Sequence, residues 1–152
     1  MSAFLQLGSV SLVFSHLKSK ISNFEELHLD QKAFTQLIEE KDGIVLIYGA
    51  TGSGNSTAMG CLLNHLNYTE EKHVDTLEYP IEFDFIDHQS VFNQREIGID
   101  TPNSKKALRA VLRQNPGIII MGVMLEAGIL DTAMSIAETG NLGFTTLHAA
   151  NV

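Results

Sequence analysis

Cysteine occurs once in the 152 residues, at Cys61, so no internal disulfide can staple the fold, and a reducing compartment suits the chain. Charge is also scarce. Charged residues make up 18% of the sequence, below the roughly 25% usual for soluble domains. Basic residues are the rarer sign, with Lys+Arg at 10 against Asp+Glu at 18 and a net charge of −8, which argues against a broad phosphate-backbone contact surface and so against nucleic acid as a partner. Long apolar runs are missing. The longest, around Gly117 to Leu125, falls far short of the roughly 20 residues of a membrane-crossing helix, so any membrane association is expected to be peripheral. The start, Met1-Ser2-Ala3-Phe4, has no charged n-region. The six histidines (16, 28, 65, 73, 88 and 148) show no metal-binding spacing with one another or with Cys61, which excludes a structural zinc. With no internal repeat, low-complexity tract or Pro/Gly/Ser-rich linker, one compact unit is expected.

What is present supports a folded core. Hydrophobic residues reach 44%, and a chain of this length can bury roughly 68–70% of its unfolded surface. Residues 9–17 alternate partially through Val10, Leu12 and Phe14, as an edge or linking strand does. Asn23-Phe24-Glu25-Glu26 has the form of a capping box, and Asp30 is placed to cap a helix with Ala33, Phe34, Leu37 and Ile38 on one face, ended by Asp42-Gly43. Ile44 to Tyr48 is apolar without alternation, as expected of a central parallel strand covered on both faces. A helix over 56–66 follows a glycine-rich loop, and Val74 to Glu78 forms a strand stopped by Pro80, with an irregular or weakly extended stretch after it to about Gly98. Further elements are a helix through Ala107, Leu108, Val111 and Leu112, a buried strand at Gly117 to Gly122, a helix over about 126–138 and a strand at Leu142 to His148. Helices alternating with apolar strands imply an α/β fold with a mainly parallel sheet and helices on both faces.

One segment carries chemistry. Gly49-Ala50-Thr51-Gly52-Ser53-Gly54-Asn55-Ser56-Thr57 satisfies G-x-x-x-x-G-K-[ST] everywhere except at the lysine, which is Asn55. Glycines at 49, 52 and 54 permit a tight turn whose N–H groups face an anion at the start of a helix, and Ser56 offers a hydroxyl to Mg²⁺. The same residues also suit a glycine-rich strand-to-helix turn with no ligand.

Five ordered stretches together resemble the type II/IV secretion ATPase family, and within it the twitching-motility, pilus-retraction branch (PilT/PilU). GATGSGNST is similar to its Walker A, LEYPIEF (Leu77 to Phe83) to its Asp box, and NQREIGIDT (Asn93 to Thr101) to the arginine-bearing segment that follows. LRAVLRQNPGIIIMG (Leu108 to Gly122) resembles the approach to Walker B, and AETGNLGFTTLHAAN (Ala137 to Asn151) the His box. The resemblance implies a truncated P-loop NTPase (RecA-like) three-layer fold, with residues 1–42 as an N-terminal linking strand and helices and 43–152 as the ATPase core. It implies ATP and Mg²⁺ as cofactors, held by residues 49–57 with Ser56 on the metal. By the same resemblance, Glu78, Glu82, Arg95, Arg109, Arg113 and His148 would serve catalysis. In phosphoryl transfer, arginines stabilise developing charge and carboxylates hold Mg²⁺ or position water. A hexameric ring, pilus base proteins as partners, and a cytoplasmic location at the inner membrane are also implied.

Six positions depart from the family pattern. Asn55 stands for the Walker A lysine, Tyr79 for an Asp-box aspartate, Gly117 for an aspartate, Val123 for the Walker B glutamate, Leu125 for an arginine, and Asn141 for a histidine. Five of these would carry charge in the family, which accounts for part of the low charged fraction. Little or no hydrolysis is therefore expected, and a non-catalytic homologue acting through interactions, or a remnant without a role, is the alternative. From the residues alone, Glu78 and Glu82 also fit surface carboxylates at a strand end, and Arg95 a solvated side chain. Arg109 and Arg113 equally fit partners of surface acids, and His148 a packed or capping ring.

Overall fold

In the computed structural model, residues 2–14, 20–122 and 129–148 are described. The chain opens with a hairpin, β1 (Ser2–Gln6) and β2 (Ser9–Val13), paired antiparallel. Its two-residue turn places Leu7 and Gly8 at positive φ, the backbone that lets a short hairpin follow the strand twist. The expected strand over 9–17 is therefore shorter, and its partner β1 was not anticipated. The capping box at Asn23 forms, since Glu26 N–H donates to Asn23 Oδ1 at 2.8 Å, yet no helix follows. Six residues separate Asn23 from the next cap at Asp30, too few to repay helix nucleation, and the chain instead closes a turn that buries Phe24 against Phe34 and His65.

Asp30 caps α1 (Gln31–Glu39), its carboxylate accepting from the N–H groups of Lys32 and Ala33. Then come β3 (Gly43–Gly49), α2 (Asn55–Thr69), β4 (His73–Glu78), β5 (Val91–Glu96), α3 (Ser104–Val111), β6 (Ile118–Met121), α4 (Ile129–Glu138) and β7 (Leu142–His148). The strands from β3 onward form one wholly parallel sheet in the order β3-β7-β6-β4-β5. Residues 126–128 of the expected fourth helix, residues 15–17 of the expected first strand, and Val123 and Leu125 lie outside the described residues.

Two apolar layers sandwich this sheet. On one face Leu62, Leu63 and Leu66 of α2, with Ile38 of α1, pack on Val74, Phe92, Ile118, Ile120, Leu142 and Phe144. On the other, Ala107, Leu108 and Val111 of α3 and Ile136 of α4 pack on Leu77, Ile119 and Met121. Each fully buried side chain of this kind contributes roughly 1.5–3 kcal/mol. Cys61 belongs to the first layer, where burial pushes its thiol up to about 11.

Two expectations need correction. β3 was expected to be a central strand covered on both faces, but among the described residues it is an edge, with Leu46 and Tyr48 44% and 62% exposed. Unbroken apolarity signals burial without saying how many neighbours a strand has. The stretch to Gly98, expected to be irregular or weakly extended, contains a regular strand, β5, whose sequence VFNQRE is too polar to signal one clearly. It can be polar because it lies at the opposite edge.

Candidate nucleotide site

The parallel strands end on one rim, where the glycine-rich loop leaves β3. Gly52 and Gly54 sit at φ +82° and +101°, conformations that L side chains rarely adopt, and Gly54 is the N-cap of α2 without a capping side chain. The helix thus presents its first N–H groups and its positive end to whatever enters the loop. Ser53 N–H closes the turn onto Ala50 O at 3.0 Å. Asn55 folds back across it: its Nδ2 donates to Gly49 O at 3.3 Å, and its Oδ1 accepts from Ser53 Oγ at 3.3 Å. A Cβ at Gly49 would lie 2.5 Å from Ser53 Oγ and 2.8 Å from Asn55 Oδ1, so only glycine leaves room for this crossing. Ala50 and Thr51 are exposed and Thr57 is half-buried.

Beside the loop, Ser56 Oγ donates to Glu82 Oε1 at 2.9 Å, and Glu82 N–H reaches Glu78 Oε2 at 3.4 Å. Glu78 ends β4 and is held by Thr76 Oγ1 at 2.6 Å and by Gln94 Nε2 at 3.3 Å. Burial pushes the Glu78 carboxyl above the usual carboxylate range. The hydrogen bonds from Thr76, Gln94 and the Glu82 backbone oppose that shift, and the neighbouring Glu82 charge adds to it. Ser56, Glu78 and Glu82 line a small cleft between α2 and the chain after β4, with Met59, Leu63 and Phe83 as its apolar wall. Gly60 lets Phe83 approach, since a Cβ there would stand 2.8 Å from the ring.

Gln94 was missed by sequence reasoning although its neighbour Arg95 was singled out. Its amide also accepts from Phe85 N–H at 2.9 Å and donates to Phe83 O at 2.8 Å, so one side chain ties the cleft wall to Glu78. Strand alternation turns Gln94 toward Glu78 and Phe83 and Arg95 to the opposite face.

There Arg95 Nη2 donates to Gln114 Oε1 at 2.9 Å and lies 4.0 Å from Asp75 Oδ1. The fold does not bring Arg95 to the loop of its own chain. Arg109 and Arg113 are exposed at and just beyond the end of α3, on that same far face. The β3–β7 register sets the His148 backbone beside Gly49, at the start of the loop. Of the other departures, Tyr79 is exposed at the cleft mouth, Gly117 precedes β6, and Asn141 donates to Thr139 Oγ1 at 2.9 Å.

The loop and Ser56 fit a phosphate with its metal, having a cradle that only glycine permits at Gly49, a helix start without a cap, and a hydroxyl within reach of a carboxylate. They lack a fixed positive charge at residue 55.

Comparison with known proteins agrees with this geometry. The family described as type II/IV secretion system protein matches residues 11–152. The type IV pilus retraction ATPase PilT of Pseudomonas aeruginosa is 39% identical over 150 residues, covering 99% of this chain and 43% of that protein. The pilus ATPase PilU of the same organism is 36% identical, covering 99% and 39%. Among solved structures, that of the pilus retraction motor PilT with bound ADP superposes with a TM-score of 0.91 at 41% identity, covering 97% of this chain and 43% of that one. The Legionella pneumophila ATPase DotB gives 0.85 at 30%, covering 99% and 43%. The chain spans less than half the length of these relatives. With its parallel sheet, its loop at the strand rim and a family match over nearly its whole length, the chain belongs to the type II/IV secretion ATPase family, in the branch of PilT and PilU.

Proposed function

We propose that the chain is the nucleotide-binding core of a pilus-retraction type motor, taking ATP with Mg²⁺ at residues 49–57. The observation that carries this reading is the contact of Ser56 with Glu82 beside an uncapped helix start, a hydroxyl and carboxylates placed where a phosphate-bound metal would sit. Backbone N–H groups of the loop and the α2 N-terminus bind the phosphates. Mg²⁺, when bound, neutralises phosphate charge. Ser56 would hold the metal through its hydroxyl oxygen in place of its contact with Glu82, and Glu78 would orient water. Asn55 ties the loop but supplies no charge, so turnover is slow.

Arg95, Arg109 and Arg113 face away from their own loop. This suits a role toward a neighbouring subunit in a hexameric ring, with His148 sensing the nucleotide from beside Gly49. We place residues 1–42 as the link to the rest of such a motor and 43–152 as its core. We also propose partners at a pilus base and a cytoplasmic position peripheral to the inner membrane, a reading supported by the similarity to pilus ATPases. No helix of the described residues is long and apolar enough to cross a membrane.

The test is thermal unfolding with Mg-ATP and measured phosphate release. A ligand of the native state raises the midpoint by mass action. Ser56→Ala is expected to remove the Mg²⁺-dependent part of the shift and any phosphate release. No shift at millimolar Mg-ATP overturns the reading. A shift without phosphate release, with activity recovered by Asn55→Lys plus Val123→Glu, identifies a binding module that has lost catalysis.

A further inference from the structure

Residue 55 bears on which nucleotide the site holds, an inference that rests on the nucleotide reading above and deepens it. In the pattern G-x-x-x-x-G-K-[ST], the lysine is the side chain that carries a full positive charge to the β and γ phosphates. Here that position is filled by a neutral amide already engaged at both ends, donating to Gly49 O and accepting from Ser53 Oγ. Asn55 is a strap across the loop, holding its shape without supplying charge.

Among the described residues, no lysine or arginine hydrogen-bonds to the loop in its place. From Asp42 to Glu71, the stretch that builds β3, the loop and α2, there is no lysine or arginine, nor is there any between Lys72 and Arg95 or after Arg113. Those intervals include β4, the cleft wall, β6 and β7. Arg95 lies across the sheet beside Asp75 and Gln114. Lys105 and Lys106 open α3, which packs on that same far face. The next groups along the cleft are negative: Glu82, which holds the Ser56 hydroxyl, and Glu78 behind it. Among the described residues, the positive potential at the loop comes from backbone N–H groups and a helix end equivalent to roughly half a charge. A phosphate seated in the loop is accommodated by these. A further phosphate beside Glu82 and Glu78 finds no side-chain cation of its own chain among the described residues paired with the loop, and relies on Mg²⁺ or a neighbouring subunit for compensation.

We propose that this loop is a nucleoside-diphosphate site in which the terminal phosphate of a triphosphate goes unread, so that ADP is held at least as tightly as ATP. Residue 55 is then the position that sets discrimination between the two.

Equilibrium binding of ADP and of an ATP analogue with a non-hydrolysable β–γ bridge, each with and without Mg²⁺, tests this on the full chain without depending on activity. In the wild type, the Kd of the analogue is expected to equal or exceed that of ADP. Asn55→Lys is expected to lower the analogue-to-ADP Kd ratio about tenfold, since a charged contact to phosphate is gained mainly by the longer ligand. Asn55→Ala removes the strap and adds no charge, so both nucleotides should weaken by a common factor with the ratio unchanged. Analogue binding tenfold tighter than ADP in the wild type overturns the inference and leaves the nucleotide reading intact. So does a ratio unmoved by Asn55→Lys, or one changed by Asn55→Ala. Failure of both nucleotides to bind removes the nucleotide reading and this inference with it.

Discussion

Strand β4 carries two acidic side chains three residues apart, Asp75 and Glu78, and they meet opposite fates. Glu78 faces the cleft, where Thr76, Gln94 and the Glu82 N–H hold its oxygens. Asp75 faces the other layer with no exposed surface, and neither of its oxygens receives a hydrogen bond from the described residues. His73 Nε2 at 3.4 Å and Arg95 Nη2 at 4.0 Å are its nearest charged or chargeable neighbours. Burial pushes the Asp75 carboxyl above its usual range, opposed by His73, Arg95 and the side chain of Asn93. The difference teaches that burial on its own is a cost, and that donors arranged around a carboxylate turn the same burial into a held, usable group.

The largest way to break this contrast is to make Glu78 resemble Asp75. Gln94→Leu would strip Glu78 of a donor and leave Phe83 O and Phe85 N–H unpaired, costing roughly 2–3 kcal/mol. Denaturant unfolding should show the loss, and Mg-nucleotide binding should weaken as the cleft wall loosens. Next in size is Asp75→Leu, which replaces a buried carboxylate that accepts no hydrogen bond from the described residues, with His73 and Arg95 near it, by an apolar side chain. A gain of roughly 1–2 kcal/mol is expected, read as a higher denaturant midpoint with unchanged slope. A loss would mean that the His73 and Arg95 contacts outweigh desolvation.

The sign of the pH effect sharpens the comparison further. Because the folded Asp75 pKa lies above the unfolded one, the folded chain binds a proton more readily. The penalty is then full above the raised value and vanishes below the ordinary value of ~3.9. The stabilising effect of Asp75→Asn should accordingly be present at neutral pH and shrink on acidification, as followed by thermal unfolding across pH. Smallest is Arg95→Gln. A single hydrogen bond to Gln114 and a 4.0 Å approach to Asp75 are worth under about 1 kcal/mol, so stability should barely move. A large loss would show that Arg95 pays for the burial of Asp75.

Much of this was legible beforehand, for identifiable reasons. The loop at 49–57 was visible because its glycines and Ser56 must occur at fixed spacing, and five ordered motifs pointed to one family. Glu78 and Glu82 were legible for the same reason. Gln94 was not, since a glutamine in a polar strand gives no signal of its own, and its role depends on Phe83 and Phe85 crossing over the end of β4. Arg95 was legible as a residue type but not as a placement. Only pairing β5 with β4 put Arg95 opposite Leu77, on the face away from the loop.

Sequence alone determined the alternation of β3, α2 and β4 and of α3, β6 and β7, the glycine-rich loop and the asparagine at residue 55, because each depends on local spacing and residue chemistry. Tertiary structure decided that β3 is an edge strand among the described residues, that β5 exists, and that Ser56, Glu82 and Glu78 meet while Arg95 faces away. A strand's alternation defines two faces, but which neighbours cover them is set by pairing between segments far apart in the chain.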